Sequence, residues 1–231
     1  MNEEVRTPEE LLSIMNAAAI GDLCFEHMLG FIRTGMTELE VAGEIDRTLT
    51  GLGSEGLAFP TICVSGQRSE LPHGEPTGKV IEEGDFVTMD FGAMSGGMCS
   101  DMTRTVAMGR VTAFQEWVYR VVLEAQAAAL AFSRAGVRCA QVDRAARDVI
   151  DKAGFGEWFC HGTGHGVGRE VHQAPKMNSE SEETLMEDMV VTFEPGVYLP
   201  GKFGVRIEDL AIVKKFGIIN VVKSRKELII L

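Results

Sequence analysis

The chain has 231 residues, a formal net charge of -12, and 45% hydrophobic and 24% charged residues. That length supports one large domain with a sizeable core or two small ones, and the composition is that of an ordinary globular protein. The acidity argues against a nucleic-acid partner, which needs clustered Lys and Arg to neutralise phosphates, whereas carboxylates are what a cation site requires.

In chain order, Thr7-Pro8-Glu9-Glu10 opens the first helix. Thr7 caps it, Pro8 suits the first helical position and Glu10 completes a capping box, with an apolar run to about Ile32. Thr37 and Glu40 repeat that chemistry and start a second helix, to about Leu52. Thr112 and Gln115 start a third, to about Phe132, and a fourth runs from about Ala140 to Lys152. Strand-like segments lie at 58–65, 86–91, 99–107, 189–193 and 204–213.

Helix, helix, strands is thus followed by helix, helix, strands, which suggests an internal repeat. Arg33, Gly35, Val41 and Gly53 match Arg134, Gly136, Val142 and Gly154 at one constant offset. Val87-Thr-Met-Asp90-Phe-Gly92 matches Val191-Thr-Phe-Glu194-Pro-Gly196, and His73-Gly-Glu-Pro76 matches His172-Gln-Ala-Pro175. The expectation is two halves, about 12–106 and 113–213, related by a pseudo-two-fold axis and sharing one core across 1–231. Five scattered cysteines, with no CxxC pair, read as reduced thiols. The acidic N-terminus has no apolar signal region and no apolar stretch reaches membrane-spanning length, so a cytoplasmic location and no membrane partner are expected.

Two hairpins carry the acids. A Ser95-Gly96 turn sets Asp90 directly across from Asp101. A three-residue turn centred on Gly201 sets Glu194 across from Glu208. Opposed like charges are unfavourable. Yet Asp90 sits in Phe-Val-Thr-Met-Asp-Phe and Glu194 in Val-Val-Thr-Phe-Glu-Pro, runs that belong to buried strands. Four such carboxylates meeting in one place demand cations, and two divalent ions would neutralise them. Paired ions can activate a water and polarise a carbonyl. Oxygen-rich ligation with one imidazole suits Mn²⁺, Co²⁺, Fe²⁺ or Zn²⁺.

Of the five histidines, His27 falls in the first helix and reads as a structural or surface residue. His161-Gly-Thr-Gly-His165-Gly-Val-Gly168 holds too many glycines for a helix and reads as an extended or looped segment approaching a ligand closely. With His73 and His172, these residues supply one metal ligand and donors or proton carriers for the others.

On these segments the chain resembles the pita-bread metallopeptidases: methionine aminopeptidase, aminopeptidase P, prolidase and creatinase. The matching pieces are Leu-Pro-His73-Gly, Met-Asp90-Phe-Gly, Ser-Asp101-Met-Thr-Arg-Thr, the His161–Gly168 segment, Val-His172-Gln-Ala-Pro, Thr-Phe-Glu194-Pro-Gly-Val-Tyr and Gly-Val-Arg206-Ile-Glu208-Asp. The resemblance implies an α+β pita-bread fold, two pseudo-two-fold halves with a curved, mainly antiparallel sheet covered by helices. It implies Asp90, Asp101, His165, Glu194 and Glu208 as ligands to two divalent ions, Mn²⁺ first, with Asp101 and Glu208 shared. Glu194 then also handles the proton of the attacking water, and His73, His161 and His172 steady the substrate carbonyl. Arg206 meets the substrate's carboxylate or supports the site.

Ser-Asp-Met-Thr-Arg-Thr and Arg-Ile-Glu-Asp resemble the proline-specific branch. The implied activity is therefore hydrolysis of the bond between an N-terminal residue and proline, on a small peptide. Methionine aminopeptidase and a non-catalytic binding module of the same fold are the alternatives. Gln173 stands where many proline-specific members carry Glu. Those relatives also carry a smaller N-terminal domain, so the chain is expected to correspond to the catalytic domain alone, with a homodimer as the candidate assembly.

Overall fold

The computed structural model describes residues 4–231. Its helices begin where the caps require. Thr7 Oγ1 accepts from Glu10 N at 3.3 Å while Glu10 Oε2 accepts from Thr7 N at 3.1 Å, opening α1 (Pro8–Phe31). The same reciprocal pair opens α2 (Glu38–Gly51) at Thr37 and α3 (Ala113–Phe132) at Thr112. For α4 (Cys139–Lys152) the Gln141 carbonyl accepts from Arg138 N at 3.3 Å.

The strands of the first half are β1 (Ile62–Ser65), β2 (Phe86–Phe91), β3 (Met94–Ser95), β4 (Met98–Cys99) and β5 (Met102–Ala107). Those of the second are β6 (Gly164–Gly166), β7 (Gln173–Met177), β8 (Val190–Phe193), β9 (Gly196–Leu199), β10 (Phe203–Arg206), β11 (Asp209–Lys214) and β12 (Gly217–Asn220). These strands pair antiparallel with one another: β1-β2-β5 in one sheet, β12-β11-β8-β6-β7 in the other, with β3-β4 and β9-β10 as hairpin tips.

Period-two alternation sorts each strand's side chains. Val87, Met89 and Phe91 of β2 pack with α1 and α2, beside Phe25, Met28, Ile45 and Leu49. Val191 and Phe193 of β8 pack with α3 and α4, beside Val118, Val122, Val142 and Ile150. Each large side chain so buried contributes about 1.5–3 kcal/mol. The residues between them, Thr88 and Asp90 on β2 and Thr192 on β8, take the other face, which turns toward the centre of the molecule. Two helix-covered halves whose antiparallel sheets meet at the centre make this the α+β pita-bread architecture.

Two expected strands are interrupted. The segment 99–107 breaks at Ser100-Asp101, and 204–213 breaks at Ile207-Glu208. The expected Ser95-Gly96 turn is also displaced by one residue. Met94 faces Cys99 and Ser95 faces Met98, so Gly96 and Gly97 form the turn, with φ +56 and +69. A two-residue hairpin turn that matches strand twist needs positive φ at both centres, which glycine supplies and serine does not. Glu55 closes the turn, accepting from both glycine N–H groups at 2.9 Å. Asp90 therefore faces Thr103 rather than Asp101. The displacement preserves side-chain parity, so Asp101 lies one pleat further along on the same face.

The second hairpin has the expected register. Phe203 faces Leu199 across a three-residue turn with Gly201 at φ +72, and Asp209 faces Phe193. Glu194 and Glu208 lie opposite one another between these ladders. Their backbone N–H groups turn away from each other, to Thr163 O at 2.8 Å and Thr103 O at 3.1 Å. The second bond ties the two halves together at the centre.

Candidate metal centre

Asp90, Asp101, His165, Glu194 and Glu208 converge at that centre. Asp101, His165 and Glu208 each offer a ligand atom, and these atoms lie within 4.8 Å of one another. His165 Nε2 lies 3.2 Å from Glu194 Oε1 and 3.6 Å from Asp101 Oδ2. Glu208 is 1% exposed and Asp101 5%.

His165 sits on β6, whose glycines let it thread between neighbours. A Cβ at Gly164 would fall 2.1 Å from Thr192 O, and one at Gly166 would fall 2.0 Å from Ala174 O. Thr192 Oγ1 accepts from His165 N at 3.0 Å and donates to Glu194 Oε1 at 3.2 Å. Thr103 Oγ1 donates to Glu208 Oε2 at 2.6 Å and accepts from Arg206 Nε at 3.0 Å. Thr103, Thr192 and Tyr198 were not singled out from the sequence. Each lies an even number of residues from a ligand on its own strand path, so strand alternation was the signal that would have found them.

Arg206 is 3% exposed and uses its guanidinium inside the protein. It donates to Asp90 Oδ2 at 2.7 Å, to Thr103 Oγ1, and to Pro72 O and Tyr198 Oη, both at 3.0 Å. Of the two roles the resemblance allowed, this geometry serves support of the site. The chain of contacts continues: Tyr198 Oη lies 2.8 Å from His161 Nε2, and His161 Nδ1 lies 2.8 Å from Gly162 O. A carbonyl only accepts, so Nδ1 carries the hydrogen and Nε2 accepts from Tyr198. Burial lowers the His161 pKa and keeps this neutral tautomer.

The electrostatics show a site that lacks positive charge. Burial, and then Glu208, Asp90 and Glu194, hold Asp101 well above the usual carboxylate range. Burial, followed by Glu194 and Asp90, does the same to Glu208. Burial also raises Asp90, in spite of Arg206. Glu194 differs: burial opposes its ionisation, but the hydrogen bond and charge of His165 outweigh it and bring the pKa down to about 2. Burial works against a charged His165, and Glu194 more than offsets it, so His165 is raised.

Two further atoms identify what is needed. Asp90 Oδ1 and Glu208 Oε1 are buried, and among the described residues neither has a hydrogen-bond partner. Buried carboxylate oxygens left without donors are costly unless a cation meets them. The donor set, its crowding and these two oxygens all fit divalent cations held mainly by oxygen.

His73, His161 and His172 line a cavity of about 380 Å³ beside this cluster, with Glu194, Gln173 and Lys176. The His172 and His165 rings lie 4.3 Å apart. Among the described residues, no hydrogen bond engages the His73 or His172 ring, so both are free to meet a ligand. Lys176 is exposed on β7 directly opposite His165, a placement the sequence did not signal. Gln173 accepts from Arg6 at 2.6 Å. His27 lies apart from the cavity, 2.8 Å from Glu44 on α2. All five cysteines are free, and among the described residues no helix is long and apolar enough to cross a membrane.

Residues 13–215 match the profile of metallopeptidase family M24. The chain is 39% identical to an Xaa-Pro dipeptidase from Pyrococcus furiosus, over 97% of this chain and 65% of that protein. It superimposes on a solved Xaa-Pro dipeptidase from Bacillus anthracis with a TM-score of 0.98 and 46% identity, covering 99% of this chain and 64% of that one. An X-Pro aminopeptidase structure from Thermotoga maritima gives 0.97 and 40%, covering 99% and 65%. The chain spans less than two thirds of the curated relatives it matches, 64%, 62% and 65% of three of them.

Proposed function

The chain belongs to metallopeptidase family M24, and from that premise we propose that it hydrolyses the bond between an N-terminal residue and a following proline in small peptides. The observation that carries the reading is the convergence of Asp90, Asp101, His165, Glu194 and Glu208 beside a histidine-lined cavity, with two buried carboxylate oxygens unpartnered. These five residues would hold two divalent cations, Mn²⁺ by preference. When bound, such cations neutralise the carboxylates, activate the attacking water and polarise the scissile carbonyl.

The protein's own groups divide the rest of the work. Glu194 stays ionised, is held by Thr192, and reaches the cavity. It accepts a proton from the water and passes it to the leaving proline nitrogen. His73 and His172, with uncommitted rings, donate to the substrate carbonyl as negative charge develops there. His161, committed to Tyr198 and Gly162, forms a fixed wall. Arg206 keeps Asp90 in place, and Lys176 offers a cation to a peptide carboxylate near the scissile bond.

The test is a panel of Xaa-Pro dipeptides and tripeptides beside a Met-Ala-Ser peptide, assayed with Mn²⁺, Co²⁺ and Zn²⁺ and with EDTA controls. Metal-dependent release of the residue before proline is expected. Release of Met alone, or no cleavage with any metal, would overturn the reading.

A further inference from the structure

Outside the cluster just described, one fully buried acid sits on the second helix of each half. Asp143 on α4 and Glu38 on α2 are both 0% exposed. A buried carboxylate persists only when paired and hydrogen-bonded, so its partners show what it holds.

Asp143 Oδ1 accepts from Thr163 N at 3.0 Å and Thr163 Oγ1 at 2.9 Å. Arg147, one helical turn on, donates to both carboxylate oxygens at 3.0 and 3.1 Å. The same guanidinium donates to Phe159 O at 2.9 Å and His161 O at 2.8 Å, and lies 4.1 Å above the Phe159 ring. One ion pair on α4 thus grips the backbone on both sides of Gly162. The grip extends inward, because Thr163 O accepts from the backbone N–H of Glu194 at 2.8 Å.

The first half does the same with different residues. Glu38 accepts from Ser65 N at 2.7 Å and Ser65 Oγ at 3.1 Å, then from Thr77 N at 3.0 Å and Thr77 Oγ1 at 2.8 Å. Arg68 donates to Glu38 at 3.0 Å and to Glu75 O at 2.7 Å. Ser65 and Thr77 bracket the segment that carries His73. In both halves a helix-borne carboxylate, paired with one arginine, closes the base of a loop whose histidine lines the cavity.

We propose that Asp143–Arg147 and Glu38–Arg68 are positioning pairs, fixing His161 with the Glu194 backbone, and His73, for catalysis. This rests on the peptidase reading above. Neither pair touches the cavity, so each acts through geometry. Small displacements of reacting groups lower turnover more than they weaken substrate binding.

The test uses the intact, metal-loaded chain with Asp143→Asn, which keeps the shape and removes the charge. Arg147→Lys keeps the charge but not the planar fork of donors. Both should lower kcat by about 10- to 100-fold, the scale of an ångström-sized misplacement, with KM within about threefold and metal content unchanged. The NMR signal of the His161 Nδ1–H, held by Gly162 O in the wild type, should shift or broaden in both. Because Arg147 is partly exposed, the lysine variant serves if Asp143→Asn does not fold. A folded variant with wild-type kcat and an unchanged His161 signal overturns the proposal. Should the wild type cleave no Xaa-Pro peptide, the peptidase reading fails while the His161 signal still decides this one.

Discussion

The hairpin of the first half, β2 to β5, brings two aspartates to the centre; that of the second, β8 to β11, brings two glutamates. The support is unequal. Arg206 of the second hairpin crosses to Asp90 of the first, and His165 of the second half pairs with Glu194. In return the first half gives a neutral donor, Thr103, to Glu208. The cations that meet the clustered carboxylates therefore come from the second half, whereas the buried cation of the first half, Arg104, goes to Asp209 and to the Glu208 backbone carbonyl. The same strand plan thus gives the carboxylates of one half no charged partner of their own and those of the other half a histidine beside Glu194.

That contrast can be broken most severely at Glu194. Glu194→Gln should lower kcat by about 10²- to 10⁴-fold, the usual worth of a positioned proton carrier, while far-UV circular dichroism stays unchanged. A variant with near wild-type turnover on an Xaa-Pro dipeptide would place the proton chemistry elsewhere. Next comes the crossing cation. Arg206→Met leaves Asp90 buried without its partner, and removal of one member of such a pair costs about 3–5 kcal/mol. Urea unfolding of the metal-free protein should show that loss; a variant as stable as wild type would mean that Asp90 is not held by Arg206. The reverse crossing should be weaker: Thr103→Val removes the hydrogen bond to Glu208 and the one accepted from Arg206 Nε, a loss of about 1.5–3 kcal/mol in the same measurement.

A pH series sharpens the electrostatic side. Asp101 and Glu208 have raised pKa values, so in the metal-free folded state they bind protons more tightly than in the unfolded chain. Between the ordinary carboxylate pKa of about 4 and the raised values, the folded state carries the extra protons, and stability falls as pH rises. EDTA-treated protein should therefore lose stability from acid toward neutral pH. Asp101→Asn should flatten that slope, and added Mn²⁺ should remove it. An identical slope in wild type and variant would refute the assignment. The smallest effect belongs to the turns. Gly201→Ala, with open space for the methyl, should cost only the left-handed backbone penalty of about 1–2 kcal/mol. Gly96→Ala should cost more, because its methyl would lie 2.5 Å from Ser13 Oγ.

Much of this was legible from local chemistry. Thr7 with Glu10, Thr37 with Glu40 and Thr112 with Gln115 announced three helix starts, and the structure places all three there. The segment 86–91 is a strand to the residue. The turn at Gly201 was correctly centred, because a lone glycine between Pro200 and Lys202 leaves one choice. The other turn was misplaced by one residue, because Ser95-Gly96-Gly97 offers two choices and only backbone handedness selects between them. The β6 and β7 strands carry no strand signal in the sequence. Glycines dominate β6, Pro175 lies within β7, and neither has the apolar alternation that marks a strand.

By itself the sequence determined what is local: helix boundaries from caps, burial from alternation, and which carboxylates and imidazoles stand in apolar surroundings. These are encoded within a few residues, where backbone geometry fixes the spacing. Only the tertiary structure decided which distant groups meet: Arg206 with Asp90, Thr103 with Glu208, Tyr198 with His161, Asp143 with Thr163. Apart from the last, these partners come from separate strands or loops, and three of the four pairs lie more than 20 residues apart. No periodicity marks such a contact; it follows only from how the two halves pack across their common centre.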